Sequence, residues 1–248
     1  MLTEFKKPVS LKWPQKKVVV LTSGGLDSTC LLAWLRSEDF LVNPIAFDYK
    51  SKHNDAEFKA LCEVCFALGL EDPIRIPIHF INDFFKSNLL SSGGAIPQGH
   101  YEESNMSQTV VPGRNSIMLS IAAGLAESLS YSFVAIANHF GDHAIYPDCR
   151  ASFIRAMAET IRLSSDNKVH ILAPFSEMMK WDIVKLGSEI DAPLNLSYSC
   201  YEGDPTIHCG KCGTCVERIE AFIKAGVQDP TNYADKEFAL KTLASKKK

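Results

Sequence analysis

Residues 18–29 read Val-Val-Val-Leu-Thr-Ser-Gly-Gly-Leu-Asp-Ser-Thr, and this stretch decides the fold. The branched apolar run predicts a buried strand at 18–21, and the apolar spacing that follows the stretch predicts a helix at 28–36. Two glycines lie between them. The sequence therefore predicts a strand, a glycine loop and a helix in direct succession, which is an arrangement suited to binding phosphate.

The loop itself carries the groups that a pyrophosphate needs. Gly24 and Gly25 let the backbone approach an anion, Ser23 and Ser28 supply hydroxyls, and the helix start offers unpaired N–H groups. An ordinary turn capped by Asp27 or Ser28 is the alternative interpretation. The chain lacks the pattern G-x-x-x-x-G-K-[ST], which disfavours simple transfer of the γ-phosphate.

The rest of the chain alternates between the same two kinds of element. Further strands are predicted at 42–47, 74–78, 133–137 and 169–172, and further helices at 55–68, 115–128, 151–163 and 179–189. Such alternation predicts an α/β fold with a doubly wound, mainly parallel sheet covered by helices on both faces. Ligands of such sheets bind at the carboxyl ends of the strands.

Two later segments depart from this alternation. Residues 88–111 are rich in Gly, Ser, Pro and Gln and predict a long loop that acts as a lid or a dimer contact. After residue 196 the pattern becomes a cysteine-rich segment, one helix at 216–225 and a polar tail. We therefore expect a nucleotide-binding α/β domain at 1–195 and a small C-terminal zinc-binding appendage at 196–248.

The cysteine-rich segment has the spacing of a metal site. Its C-x8-C-x2-C-x2-C array consists of Cys200, Cys209, Cys212 and Cys215. Four thiolates complete a tetrahedral zinc shell, so the array predicts a closed, structural Zn²⁺ site, with His208 as a competing ligand. The remaining thiols are expected to be free, and they are Cys30, Cys62, Cys65 and Cys149.

The composition of the chain limits the classes of partner that we expect. The 248 residues are 46% hydrophobic and include 26 Lys and Arg against 29 Asp and Glu, a net charge of −3. This balance lacks the basic excess that binds phosphate backbones, so nucleic acid is not expected as a partner. No apolar run approaches the roughly 20 residues of a membrane span, and the first residues contain no signal-peptide pattern, so we expect a cytoplasmic protein without a membrane partner.

The loop at 23–28, Ser-Gly-Gly-Leu-Asp-Ser, closely resembles the PP-loop of N-type ATP pyrophosphatases, which cleave ATP between its α and β phosphates. Further peptides narrow the family, namely Phe47-Asp48-Tyr49 with His53, Val-Pro-Gly-Arg-Asn at 111–115, Tyr-Pro-Asp-Cys-Arg at 146–150 and Ser-Cys-Tyr at 199–201. Together they resemble the QueC family of 7-cyano-7-deazaguanine synthases, from about residue 18 to residue 225.

This resemblance implies an adenine nucleotide alpha hydrolase-like fold, a homodimer, and ATP, Mg²⁺ and Zn²⁺ as cofactors. It implies that 7-carboxy-7-deazaguanine and ammonia are converted to the nitrile through an acyl-adenylate and an amide, with release of AMP and pyrophosphate. Ammonia is expected from solution or from another protein, because the chain shows no glutaminase motif.

The resemblance also implies site residues. Catalytic roles fall to Ser23, Asp27, Ser28, Arg114 and Lys180. ATP is expected on Thr22, Ser23, Gly24, Gly25, Leu26, Asp27, Ser28, Thr29, Phe47, Asp48 and Arg114. The deazaguanine substrate is expected on Tyr49, His53, Asn115, Asp142, Tyr146, Asp148 and Arg150.

Several of these residues have a plainer alternative. Arg114 can instead form a surface ion pair with Glu102 or Glu103, and Asp48 can simply cap a turn. Arg150 can pair with its neighbour Asp148. Lys180 can be one of many surface lysines, and either Tyr146 or Phe140 can stack on the base or serve ordinary packing.

The chain departs from the family pattern at two loops. Lys50-Ser51-Lys52-His53 stands where the family usually has Gly-Gln-Arg-His. Residues 139–145 read His-Phe-Gly-Asp-His-Ala-Ile where Cys-Glu-Thr-Asp-Phe-Ser-Gly is common, so that Phe140 replaces a glutamate and Asp142 remains to read the base. Three hypotheses follow: nitrile synthesis, a QueC-like ligase that joins the acid to another amine, possibly on a protein, and a nucleotide sensor or RNA-binding module without turnover.

Overall fold

The computed structural model describes residues 16–101 and 104–246, and within them a parallel sheet of five strands forms the centre of the fold. The strands are β1 (Lys17–Leu21), β2 (Leu41–Asp48), β3 (Ile74–Pro77), β4 (Phe133–Ala135) and β5 (His170–Leu172). Their order across the sheet is β3-β2-β1-β4-β5. Every strand overlaps its predicted position, and the predicted α/β fold is confirmed.

β1 is the central strand, and its sequence explains why both faces of the sheet are covered. Val19 and Leu21 belong to one buried apolar cluster, whereas Val18 and Val20 belong to a second cluster on the opposite face. Side chains of a strand alternate between faces, so a continuous apolar run requires a partner layer on each side.

Helices supply both layers. They are α1 (Leu26–Ser37), α2 (Asn54–Leu68), α3 (Phe80–Phe84), α4 (Arg114–Ser128), α5 (Ala151–Ser164), α6 (Lys180–Glu189), α7 (Gly213–Ala225) and α8 (Lys236–Lys246). Leu119 of α4 and Ile161 of α5 pack on the face of Val19. Leu31 of α1, Ile183 of α6 and Phe222 of α7 pack on the other face. The sheet is therefore doubly wound.

The strand order places a binding crevice at a defined point. Chain order runs outward from β1 through β2 to β3 on one side, and continues through β4 to β5 on the other. The connections after β1 and β4 consequently leave in opposite directions and open a crevice beyond their carboxyl ends. The glycine loop follows β1, and residues 136–142 follow β4, so both border this crevice.

The C-terminal part differs from expectation in one element. Residues 236–246 were predicted as polar tail, but they form α8. Ala239, Leu240 and Leu243 lie on one side of this helix and pack against Val216 and Ile219 of α7. The apolar residues of this helix are few and stand among lysines, so the sequence alone does not reveal that they form one apolar face. The predicted domain boundary at 195/196 stays a prediction.

The long segment at 88–111 is mainly irregular, as predicted, with one short 3-10 helix at Ser104–Thr109. Its backbone pairs with the cysteine-rich segment, because Gly99 N–H donates to Lys211 O at 3.0 Å. Among the described helices, none has the length and apolar character needed to cross a bilayer. Residues 1–15, where the sequence shows no signal-peptide pattern, and the last two lysines lie outside the described residues.

Gly24 is the tightest point of the glycine loop and gives a test of the fold. Its φ is +77°, and a Cβ there would lie 2.3 Å from Glu57 O and 2.7 Å from Leu61 N on α2. We expect Gly24→Ala to lower the free energy of unfolding by about 2–4 kcal/mol, measured by equilibrium urea denaturation.

The matched control is Gly124→Ala, since no atom lies within 4 Å of a Cβ at this helical position. Removing a glycine from a helix interior should raise stability by about 0.5–1 kcal/mol. Equal effects of the two substitutions would contradict the close approach of the loop to α2.

Candidate nucleotide-binding site and metal-binding cysteines

A cavity of about 250 Å³ lies in the crevice between β1 and β4. The glycine loop, the end of β2, the start of α4, the segment after β4 and the start of α6 all contribute to its wall. Sequence-predicted residues that line it are Thr22, Ser23, Gly25, Leu26, Asp27, Ser28, Phe47, Tyr49, His53, Arg114, Asn115, Asp142 and Lys180. The fold thus gathers peptides from distant parts of the chain around one space.

Hydrogen bonds within the glycine loop hold its two serines in place. Gly25 N–H donates to Ser23 Oγ at 3.1 Å, and Ser28 Oγ donates to Gly25 O at 3.0 Å. Gly25 occupies the N-cap position of α1 and has no side chain to cap the helix. The first-turn N–H groups therefore stay available at the cavity wall, which is the arrangement that binds anions.

Asp27 and Lys180 form an ion pair at the edge of this loop. Lys180 Nζ lies 3.0 Å from Asp27 Oδ2 and 2.8 Å from Glu217 Oε2. Burial opposes charge on both partners, yet Lys180 and His139 hold the pKa of Asp27 below its ordinary value, and Asp27 and Glu217 raise the pKa of Lys180. Lys180 is thus a charged cavity residue rather than a surface lysine.

His139 lies behind this pair and is 1% exposed. Its Nδ1 accepts a hydrogen bond from Gly141 N–H at 3.1 Å, so the ring proton resides on Nε2. Nε2 is 3.7 Å from Asp27 Oδ2, 3.5 Å from Asp142 Oδ1 and 4.0 Å from Glu217 Oε1, and has no hydrogen-bond partner in the described part of the chain. The ring accordingly presents a donor to a group of carboxylates.

Asp142 is the carboxylate of the altered loop, and it faces the cavity. Tyr101 Oη donates to its Oδ1 at 3.0 Å. Phe140, which replaces the family's glutamate, is instead 54% exposed and does not line the cavity. Asp142 therefore lines the cavity, and its contact with a bound base stays a prediction, while stacking by Phe140 on a ligand in this cavity finds no support.

Arg114 enters the cavity from the first residue of α4. Its Nη1 donates to Tyr49 Oη at 3.2 Å, and its guanidinium lies 5.8 Å from the centre of the Tyr49 ring. Burial opposes its charge, but Tyr49 and Asp148 raise the pKa of Arg114 above its ordinary value. It therefore remains a cation that can meet an anionic ligand. The alternative partners Glu102 and Glu103 lie outside the described residues.

His53, Glu57 and Tyr201 form a second group of cavity residues. The rings of His53 and Tyr201 pack at a tilt of 34° with their centres 5.1 Å apart, and His53 Nε2 is 3.7 Å from Glu57 Oε2. Burial lowers the pKa of His53 to about 3 and raises the pKa of Glu57 to about 8. Both groups are therefore uncharged near pH 7 and suit hydrogen bonding to a ligand rather than ion pairing.

Some predicted residues support the wall without reaching the cavity. Asp148 Oδ2 accepts from Asn115 N–H at 2.9 Å, and Tyr146 Oη and Thr109 Oγ1 share a hydrogen bond at 2.8 Å. Arg150 is exposed, and its Nε donates to His143 O at 3.0 Å. The ligand contacts predicted for Asp148, Tyr146 and Arg150 stay predictions.

Gly24, Thr29 and Asp48 likewise lie outside the cavity lining. Asp48 Oδ1 accepts from Lys50 N–H at 3.1 Å, and Asp48 Oδ2 accepts from Arg75 Nη2 at 3.0 Å. This is the turn-capping arrangement that the sequence left open beside a ribose or metal contact.

The four cysteines of the array come together at the start of α7. The Sγ atoms of Cys200, Cys209, Cys212 and Cys215 all lie within 4.8 Å of one another, so the cluster can hold a metal ion. Cys209 Sγ accepts from the backbone N–H of Lys211 and of Cys212, both at 3.3 Å, as thiolate ligands commonly do. His208 Nε2 is occupied by Ser199 N–H at 2.9 Å, which leaves four cysteines as the ligand set.

Four residues of the site escaped the sequence interpretation. They are Tyr101, His139, Glu57 and Glu217, which are separated along the chain, and only His139 belongs to a stretch that departs from the family pattern. Glu57 follows His53 by four residues, which is a helical spacing that the sequence does contain. The other three become neighbours of the glycine loop only through the fold.

The raised pKa of Glu57 predicts a pH-dependent stability. The folded protein keeps a proton on Glu57 up to about pH 8, whereas the unfolded chain releases it near 4.5, so raising the pH through this window favours unfolding. Relative to Glu57→Gln, the parent protein should lose about 1.4 kcal/mol of stability for each pH unit in the window. Urea denaturation at about pH 5 and about pH 8 measures this difference.

Glu71→Gln, at an exposed position, is the control and should leave the pH dependence unchanged. A parent protein and a Glu57→Gln variant with parallel stability curves would show that Glu57 is ionised in the folded state.

Comparison with known proteins places the chain in a family. Residues 17–226 match the model described as queuosine biosynthesis protein QueC. A protein of Porphyromonas gingivalis named 7-cyano-7-deazaguanine synthase is 50% identical over 219 residues, covering 88% of this chain and 98% of its own. A protein of the same name from Desulfotalea psychrophila is 45% identical over 215 residues, covering 87% and 97%.

A solved structure supports the fold. The NMN synthetase of Francisella tularensis aligns with a TM-score of 0.51 at 15% identity, covering 94% of this chain and 84% of that one. The family match and the two relatives confirm the predicted family and the predicted type of enzyme. The chain belongs to the QueC family of queuosine biosynthesis proteins.

Proposed function

We propose that this protein converts 7-carboxy-7-deazaguanine and ammonia to 7-cyano-7-deazaguanine at the expense of ATP, releasing AMP and pyrophosphate. The observation that carries the proposal is the single cavity in which the glycine loop, the Asp27–Lys180 ion pair and the Arg114 guanidinium meet. An anion-binding loop beside two partly buried cations is suited to a triphosphate and a carboxylate that must approach each other.

The first activation turns a poor electrophile into a good one. The substrate carboxylate oxygen attacks the α-phosphorus of ATP, and the bond to pyrophosphate breaks. We assign the leaving phosphates to the serines and N–H groups of the loop and to Lys180, and the approaching carboxylate to Arg114. Both cations are partly buried, which strengthens their attraction for developing negative charge.

Ammonia then displaces AMP from the acyl-adenylate and leaves an amide. A second activation places AMP on the amide oxygen, and loss of AMP with a proton gives the nitrile. Asp142 faces the cavity and can accept hydrogen bonds from the amino group of a guanine-like edge. The alternative product is an amide formed once with another amine, possibly on a protein, and the loop at 139–145 is the feature that favours it.

The residues present fit the two metals that this chemistry implies. Asp27 Oδ1 is buried with no hydrogen-bond partner among the described residues, and it can hold a Mg²⁺ that arrives with ATP and neutralises pyrophosphate charge. Four cysteines form a closed shell for Zn²⁺ in a structural role. A homodimer and a place in the cytoplasm remain predictions.

The products of the reaction test the proposed function. Mass spectrometry after incubation with ATP, Mg²⁺, ammonium and 7-carboxy-7-deazaguanine should show the nitrile, with about two AMP per product because each activation releases one. Asp27→Ala and Ser23→Ala should abolish pyrophosphate release with an unchanged circular dichroism spectrum. Asp72→Ala, at an exposed position, is the control.

An amide as the end product, or no product until a protein amine is added, would favour the ligase instead. ATP binding without pyrophosphate release under any of these conditions would favour a nucleotide sensor. Near-normal turnover in both loop variants would remove the glycine loop from the chemistry.

Loss of one cysteine of the array tests the metal site. Cys212 is fully buried and also precedes α7 at its N-cap position. We expect Cys212→Ser to lose bound zinc, measured by elemental analysis, and to become less stable and less soluble, because the metal would crosslink residues 200–209 to the start of α7.

Cys62→Ser is the matched control, since this thiol is free and lies on α2 away from the array. It should retain zinc and stability. A metal-free Cys212→Ser protein with normal solubility and activity would contradict a structural metal.

A further inference from the structure

Glu217 lies between the metal-binding cysteines and the nucleotide loop, and no motif identifies it. It sits on α7 two residues after Cys215 and is 8% exposed. Its Oε2 accepts from Lys180 Nζ at 2.8 Å, and the same Nζ lies 3.0 Å from Asp27 Oδ2. We propose that Glu217 is the positioning residue of Lys180 and thereby ties the nucleotide loop to the cysteine-bearing helix.

The position of Lys180 at the start of a helix makes a second carboxylate partner necessary. Lys180 is the first residue of α6, where the helix dipole disfavours a cation. The four-carbon side chain of Lys180 has many rotamers, so fixing its ammonium in one position costs conformational entropy. A single contact offsets little of that cost. Two carboxylates from different helices restrict it to one position at the loop.

The backbone at Glu217 is held from both sides. Cys212 and Cys215 precede it, and the next residue, Arg218, is fully buried. Arg218 Nη1 donates to Ser197 Oγ at 2.8 Å, and its Nη2 donates to Leu194 O at 3.0 Å. Glu217 therefore extends from a rigid part of α7, which is the requirement for a residue that fixes another.

The Asp27 and Glu217 carboxylates have different positions relative to the cavity. Asp27 and Lys180 belong to the cavity lining, but Glu217 does not. A nucleotide phosphate that enters can compete with the Asp27 carboxylate for the Lys180 ammonium, whereas Glu217 lies outside the cavity lining and keeps its contact with Lys180. Glu217 accordingly acts on the reaction through Lys180. This inference rests on the proposed function only for the role of Lys180 at the phosphates.

Steady-state kinetics of pyrophosphate release tests the proposal with Glu217→Gln. The kcat should fall about tenfold, because a cation displaced by a fraction of an ångström stabilises the leaving phosphates less well. The KM for ATP should stay the same or fall, since a negative charge near the phosphates is removed. Glu217→Asp keeps the charge and should recover part of the kcat.

Glu220→Gln is the matched control on the same helix. Glu220 Oε1 pairs with Lys224 at 2.7 Å and Glu220 Oε2 with His100 at 3.2 Å, so it loses comparable contacts away from the cavity. Its kcat should match that of the parent protein. An equal loss of kcat in both variants, or a raised KM with unchanged kcat in Glu217→Gln, would overturn the positioning role.

A double substitution shows whether the effect passes through Lys180. In a Lys180→Met background, Glu217→Gln should cause no further loss of kcat, because the group that it positions is gone. A further loss of the same size would show that Glu217 acts independently of Lys180.

A last measurement needs no turnover. A brief pulse of an amine-acylating reagent, followed by peptide mass spectrometry, reports the accessibility of each lysine. Lys180 labelling should rise several-fold in Glu217→Gln and remain at the parent level in Glu220→Gln. Unchanged Lys180 labelling in Glu217→Gln would contradict this inference even if the enzyme is active. Raised labelling in a protein that releases no pyrophosphate would instead contradict the proposed function and leave the inference intact.

Discussion

The reversal of strand order beside β1 is the constraint on which the site depends. Because β2 and β4 flank β1 and their connections leave in opposite directions, a crevice opens at the carboxyl ends of the central strands. The glycine loop borders this crevice, and at Gly24 its backbone lies against α2. The close approach admits no side chain at Gly24, so the conformation of the glycine loop depends on how α2 packs against it.

Charge within the cavity follows from this geometry. Three carboxylates, from Asp27, Asp142 and Glu217, converge on one side, and the Lys180 ammonium lies among them. Arg114 and Tyr49 occupy another part of the wall, with the uncharged pair His53 and Glu57. The wall of the cavity therefore combines partly buried cations with neutral hydrogen-bonding groups and a carboxylate.

The cysteine array has a place in this arrangement besides closing its own segment. Cys200, Cys212 and Cys215 are part of the same apolar cluster as Val19 and Leu21 of the central strand. The helix that begins at this array packs against α6, whose first residue is Lys180. A metal at the array would thus stabilise the side of the cavity that carries Lys180.

The sequence by itself determined the strands and most helices, the glycine loop, the cysteine ligands and the family. Each depends on residues close together in the chain, through apolar periodicity, paired glycines or fixed spacing. It missed α8, whose few apolar residues gain meaning only against α7. Only the tertiary structure decided that Lys180 faces Asp27, that Asp142 rather than Phe140 enters the cavity, and that Glu57, His139 and Glu217 join the site. These residues lie far apart along the chain, and the packing of their helices and loops around the sheet, which no local pattern encodes, brings them together.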